Sequence, residues 1–147
     1  VVLADCLGIC LVDTKTNIFS IIHAGHRGTR GNIGVNALKQ MLSLGANTRD
    51  IKAVFSPCIS ALNYEVSQDF ANGLDKLLGD ALAKVFFQKN SKFFFDLRTA
   101  NEFLLRQAGV SEIVHMNACT FSDERLFSFR QNKTTKRLGF CALKKTP

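Results

Sequence analysis

The chain is expected to fold as an α+β domain in which strands and helices mix along one unit. Three observations predict this. Short apolar runs of strand length open the chain and recur near 51–55, 110–117 and 138–143. Between them lie segments whose apolar residues follow helical spacing, and glycines close two of these segments. The connections between runs are long enough to be crossovers, as mixed folds require.

The elements follow in order. Residues 1–12 read as a strand, apolar almost throughout. Asp13-Thr14-Lys15-Thr16-Asn17 is a polar turn, and Ile18 to Ala24 is a second strand, so the two form a hairpin. From Asn32 to Leu44, Ile33, Val35, Leu38, Met41 and Leu42 make a helical stripe that Gly45 stops. Ile51 to Phe55 is a short strand ending at Ser56-Pro57. Ser67 is placed to cap a helix carrying Phe70, Leu74, Leu77 and Leu78. Phe93-Phe94-Phe95 reads as core packing. Asp96 is a second N-cap, for a helix with Leu97, Ala100, Leu104 and Ala108, closed by Gly109. Val110 to Asn117 and Leu138 to Leu143 are further strands. There is no internal repeat, low-complexity segment or linker, so residues 1–147 are taken as a single domain.

Composition narrows the function classes. A hydrophobic share of 46% with 21% charged residues suits a packed core and excludes wholesale disorder. No apolar run approaches the roughly 20 residues of a membrane span. Val1-Val2-Leu3-Ala4 lacks the basic start of a secretory leader. The chain opens inside an apparent strand and without Met, so an N-terminal portion of the domain is expected upstream. The five cysteines are an odd number, widely spaced and without CxxC; they argue against a disulfide framework and for a reducing, cytoplasmic setting. The net charge of +7 favours anionic partners. The densest basic run, Lys133 to Lys145, lacks aromatic interleaving, so no nucleic-acid partner is expected. The oligomeric state is left open.

The chemistry concentrates near the start. Asp5-Cys6 lies in the first strand and His23-Ala24-Gly25-His26-Arg27-Gly28 follows the second. Antiparallel pairing about the 13–17 turn brings Cys6 near His23, provided the register allows it. A thiol and an imidazole suit two chemistries. Zinc accepts both, with a third protein ligand needed. Alternatively Cys6 is a nucleophile and His23 its base. His26 is a candidate third ligand only if the Gly25 turn swings it back. Arg27 is a planar cation between glycines, suited to an anion. Ser56-Pro57-Cys58 and Cys119-Thr120 follow strand ends, where sites are often built. In Phe127-Ser128-Phe129-Arg130, Arg130 is a second candidate for phosphate.

Six motifs in order carry a resemblance: Ala4-Asp5-Cys6; His23-Ala24-Gly25-x-Arg27-Gly28; Pro57-Cys58-Ile59 with Tyr64-Glu65-Val66; Asp96-Leu97; Cys119-Thr120; Phe127-Ser128-x-Arg130. Together they resemble the bacterial YfiH family, also called the laccase-domain, polyphenol oxidase-like or peptidoglycan editing factor family. The resemblance covers essentially the whole chain. It implies a layered α/β/β/α mixed β-sandwich flanked by helices. It implies a zinc-dependent purine nucleoside phosphorylase acting on a purine nucleoside and inorganic phosphate, with adenosine deaminase activity also associated with the family. Its zinc ligands correspond to Cys6 and His23, the third being a His upstream of this chain. Cys6, His23 and Arg27 are then the catalytic candidates, and Asp5, Arg27, Ser56, Cys58, Cys119 and Arg130 the substrate-binding ones. The chain departs from the family pattern at His26 (usually Trp), Ser56 (Gly), Phe129 (Tyr) and Gln131 (Arg). Three other readings stand beside this one: a cysteine hydrolase or deamidase using Cys6 and His23, a copper-type phenol oxidase, and a non-catalytic member of the family. The oxidase is disfavoured because copper oxidases need clustered histidines and the chain has three.

Overall fold

The computed structural model describes residues 1–143. Its centre is a four-stranded sheet of β2 (Leu7–Asp13), β3 (Phe19–Ala24), β4 (Ile51–Phe55) and β8 (Glu112–His115), in the order β3-β2-β4-β8. The β2–β3 and β2–β4 pairs are antiparallel, and β4–β8 is parallel. Alternation decides the faces. Leu7, Ile9 and Leu11 of β2 are wholly buried, as are Ala53 and Phe55 of β4, and they meet Leu38 and Met41 of α2 (Ile33–Ser43) and Leu104 and Leu105 of α5 (Leu97–Gln107). Each such buried aliphatic side chain contributes about 2 kcal/mol. The other face carries the paired rows Gly8–His23 and Cys10–Ile21.

Local chemistry sets the boundaries. In the 13–17 turn, the Asp13 carboxylate accepts the backbone N–H groups of Lys15 and Thr16, each at 2.9 Å, and of Asn47 at 2.8 Å. Asp96 caps α5 by accepting Thr99 N–H at 2.9 Å. Gly45 and Gly109 end α2 and α5 at φ values of +101° and +97°. The α+β class, the β2–β3 hairpin, β4, α2 and α5 are as expected from sequence.

Four elements differ. The expected strand 1–12 is two strands, β1 (Val2–Leu3) and β2, because Asp5 sits at φ +79° and turns the chain between them. β1 pairs instead with β9 (Leu138–Gly139), which is all that forms of the expected strand 138–143. The helix expected after Ser67 breaks into a single turn of 3₁₀ helix over Gln68–Ala71 and a one-turn helix, α3 (Asp75–Leu78); a second one-turn helix, α4 (Leu82–Val85), follows. Gly73 and Gly79 adopt positive φ there, which interrupts any continuous helix. The phenylalanine run forms a hairpin, β6 (Phe86–Lys89) and β7 (Lys92–Phe95), turned by Asn90 and Ser91, both at positive φ. With β5 (Glu65–Val66) it makes a third sheet, β5-β7-β6. Two short helices complete the set, α1 (His26–Arg30) and α6 (Phe129–Asn132). No helix among the described residues is long and apolar enough to cross a membrane. Lys144 and Lys145 of the C-terminal basic run lie outside the described residues.

Candidate functional site

The β1–β9 ribbon lies over one end of the central sheet and so positions Asp5-Cys6. A Cβ at Gly8 would meet Phe140 Cδ1 at 2.7 Å and Leu3 Cδ1 at 2.8 Å. Only a glycine in β2 lets the ribbon approach this closely. Gly8 pairs with His23, which puts that histidine at the same end of the sheet. The chain then passes Gly25 into α1. A Cβ at Gly25 would stand 2.7 Å from Cys6 Sγ and 3.6 Å from His23 Nε2. The thiol and the imidazole therefore both approach the Gly25 backbone, which puts Cys6 near His23.

Asp5 ties the remaining motifs to this spot. It is buried, and its carboxylate accepts Thr120 Oγ1–H at 2.8 Å on one oxygen and Arg130 N–H at 2.8 Å on the other. Its carbonyl accepts Ile59 N–H at 2.9 Å. Asp5 thus uses its acceptors within the protein, and it positions the motifs rather than presenting a free carboxylate. Arg130 follows Ser128, whose hydroxyl caps α6 by accepting Gln131 N–H at 3.1 Å. The Arg130 guanidinium donates to the Glu65 carbonyl and lies over the Tyr64 ring, 5.1 Å from its centroid. A cavity of about 160 Å³ opens here, lined by Asp5, Cys6, Ile59, Tyr64, Phe129 and Arg130, among others. A larger groove of about 460 Å³ runs between α2 and α5 and holds none of the candidate residues.

Electrostatics separate the groups. Burial pushes the Cys6 thiol up, and the Asp5 carboxylate pushes it further. Burial also raises the Tyr64 phenol, with Cys6 and Asp5 adding to it and Arg130 opposing. Tyr64 is therefore a protonated hydrogen-bond donor at neutral pH.

The other expected residues are placed as follows. Arg27 is exposed in α1. His26 stacks on Phe70 with ring centroids 4.0 Å apart, and its Nε2 is buried without a partner. Burial, then Arg30 and Arg27, push its imidazole down. Among the described residues no three His, Cys, Asp or Glu side chains gather to hold a metal, so His26 does not complete the Cys6–His23 pair. Ser56 is buried, accepts Gly8 N–H at 2.8 Å and donates to the Pro57 carbonyl at 2.8 Å. Cys58 is buried too, and neither residue lines the cavity; both support the loop from within. Cys119 is half-buried beside Ser60 and Asn63, outside the cavity lining.

Sequence reasoning overlooked Thr120 as the partner of Asp5, and Phe129 and Ile59 as cavity walls. A buried acid needs donors, and that need was the available signal for Thr120.

Residues 1–144 match the family model described as multi-copper polyphenol oxidoreductase laccase. A purine nucleoside phosphorylase of Mycobacterium tuberculosis is 36% identical over 139 residues, 95% of this chain and 54% of that protein. An adenosine deaminase, RL5, from an unknown prokaryotic organism is 33% identical over 141 residues, 92% of this chain and 51% of that protein. The crystal structure of YlmD from Geobacillus stearothermophilus superposes with a TM-score of 0.84 at 28% identity, covering 92% of this chain and 53% of that one. That of Neisseria meningitidis protein NMB0706 gives 0.84 at 28%, covering 93% and 56%. The chain spans about half the length of the curated relatives it matches. With the family model matched along nearly its whole length, the chain belongs to the multi-copper polyphenol oxidoreductase laccase, or YfiH, family.

Proposed function

We propose that the site serves phosphorolysis of purine nucleosides, with zinc as its metal. The observation that carries the reading is the convergence of Cys6 Sγ and His23 Nε2 over Gly25, at the edge of the cavity that Arg130 and Tyr64 line. The residues present supply two donors that zinc accepts, one thiol and one imidazole, of the three protein ligands a catalytic zinc uses, and Gly25 between them carries no side chain. Cys6 and His23 would hold the zinc. When bound, it supplies a Lewis acid that orients and polarises an oxygen of the substrate.

The chain's own residues divide the remaining work. Arg130 neutralises phosphate, its guanidinium fixed by the Glu65 carbonyl and the Tyr64 ring. Arg27, exposed beyond Gly25, is the second cation for the same anion. Phosphate oxygen attacks the anomeric carbon as the bond to the purine nitrogen breaks, and these cations hold it in line. The exposed Phe129 ring at the cavity rim offers an apolar face to the base. The Tyr64 hydroxyl, kept protonated, donates a hydrogen bond to substrate. The name of the relative called adenosine deaminase supports adenosine as the nucleoside to try first.

The raised Cys6 thiol speaks against a metal-free cysteine hydrolase, which needs a depressed one. The test is incubation of the zinc-loaded full-length protein with adenosine and phosphate. Adenine and ribose 1-phosphate are expected. No phosphate-dependent release of base from protein that retains its zinc would overturn the reading.

A further inference from the structure

Cys58 and Cys119 face each other as partners in an isolated parallel bridge between the loop after β4 and the segment after β8. Strands paired in this way run about 4.8 Å apart. That lies within the roughly 4.4–6.8 Å Cα separation a disulfide spans. Thr120 N–H donates to the Cys58 carbonyl at 3.2 Å and fixes the register of the pair. Both are free thiols.

The two sulfurs are prepared differently. Cys119 is half-buried, and Ser60 N–H reaches its sulfur at 3.2 Å and the Asn63 amide at 3.5 Å. The Ser60 hydroxyl lies 3.2 Å away. Burial alone would raise this thiol, but hydrogen bonds from Ser60, Asn63 and Ser122 prevail and hold it down to about 6. Cys58 has no exposed surface, and burial pushes it up to about 11, although Arg98 Nη2 stands 3.7 Å from the sulfur and opposes the rise. An accessible thiolate beside a buried thiol is the arrangement of an attacking and a resolving cysteine.

We infer that Cys119 and Cys58 are a redox-active pair that reacts with a low-molecular-weight disulfide of the glutathione class. The Cys119 thiolate attacks one sulfur of that disulfide, forming a mixed disulfide and releasing one small thiolate. Cys58 then gives up its proton, with the Arg98 guanidinium beside the developing charge, and attacks the Cys119 sulfur. The second small thiolate leaves. Two protein thiols are oxidised to one disulfide, the small disulfide is reduced to two thiols, and the two protons end on those thiols. Ile59 and Thr120, the chain neighbours of the two cysteines, both bond Asp5, so a bridge here is mechanically connected to the Cys6 end of the cavity.

The test is incubation of the whole chain, carrying Cys141→Ser to remove the exposed thiol, with oxidised glutathione, followed by an acid quench and peptide mapping by mass spectrometry. The expected product is a Cys58–Cys119 disulfide reached through a glutathione adduct on Cys119. Cys58→Ser should lose the bridge and accumulate the adduct; Cys119→Ser should lose both. If Cys58→Ser fails to fold, Cys58→Ala is mapped instead. Limiting iodoacetamide on the unaltered pair gives a second readout and should label Cys119 before the wholly buried Cys58. A glutathione adduct on Cys119 that persists when Cys58 is present, a bridge to any other cysteine, or labelling of Cys58 ahead of Cys119 would each overturn the inference.

Discussion

The Asp5 carboxylate accepts the Thr120 hydroxyl at 2.8 Å across 115 residues of chain, with both side chains buried. The second carboxylate oxygen accepts Arg130 N–H at 2.8 Å. One acid therefore holds the start of the chain to two segments near its end, and its position at φ +79° aims Cys6 towards Gly25.

Asp5→Ala should destabilise the chain by about 2–3 kcal/mol in urea melts, because it orphans a buried hydroxyl and a partly buried N–H. Asp5→Asn keeps one acceptor and tolerates positive φ, so its cost should be about 1 kcal/mol. If the alanine variant melts within about 0.5 kcal/mol of the parent, the typical scatter of neutral changes, Asp5 does not hold these segments.

Gly25→Ala tests the convergence over the open spot. The backbone there, at φ −88° and ψ −169°, accepts alanine, so the fold should persist. The added Cβ, however, falls 2.7 Å from Cys6 Sγ and displaces the sulfur. Zinc affinity, measured by competition with a chromophoric chelator, should fall by roughly 10–100-fold, the range seen when ligand orientation is disturbed. Unchanged affinity with an unchanged circular dichroism spectrum would mean that metal binds elsewhere.

The β2–β3 hairpin was legible because a polar turn separates two apolar runs; its register sets His23 opposite Gly8, and the turn at Asp5 brings Cys6 in beside it. Asp96 was legible as a cap because its role is local, satisfied by Thr99 three residues on. The helix after Ser67 was misread because the apolar spacing of Phe70, Leu74, Leu77 and Leu78 continues across Gly73, and spacing does not report the positive φ that breaks it. The 86–95 hairpin was hidden because a run of phenylalanines packs equally well in a strand or a buried helix. Asp5 looked like a residue for substrate, since its partners Thr120 and Arg130 are over a hundred positions away and only the fold brings them to it.

Acid should unfold the chain partly through Asp13. Hydrogen bonds from the backbone N–H groups of Thr16, Asn47 and Lys15, in that order and against burial, hold its carboxyl down to about 2. A carboxyl depressed in the folded state contributes stability that is fully present above its unfolded value, about 3.9. That contribution is lost as pH falls through the folded value, so the window is pH 4 to 2. Urea midpoints of the parent should drop across that window. Asp13→Asn should start lower at pH 7 and show a shallower drop. Parallel curves for the two proteins would remove Asp13 from the account.

Arg130→Lys separates charge from geometry at the proposed phosphate contact. The backbone N–H to Asp5 remains, so stability should change by less than about 0.5 kcal/mol. Lysine keeps the positive charge but cannot lie flat on Tyr64 while also donating in a fork to an anion. A loss of about 1.4 kcal/mol in phosphate binding corresponds to a tenfold rise, so KM for phosphate should rise about tenfold while KM for nucleoside stays within about twofold. The guanidinium is also bonded to the Glu65 carbonyl, so an anion must find it already oriented. Tyr64→Phe keeps the ring under Arg130 and should leave KM for phosphate unchanged, which separates the cation's seat from the phenol's hydrogen bond. If Arg130→Lys raises KM for nucleoside instead, the phosphate cation is Arg27 and Arg130 belongs to the wall that receives the base.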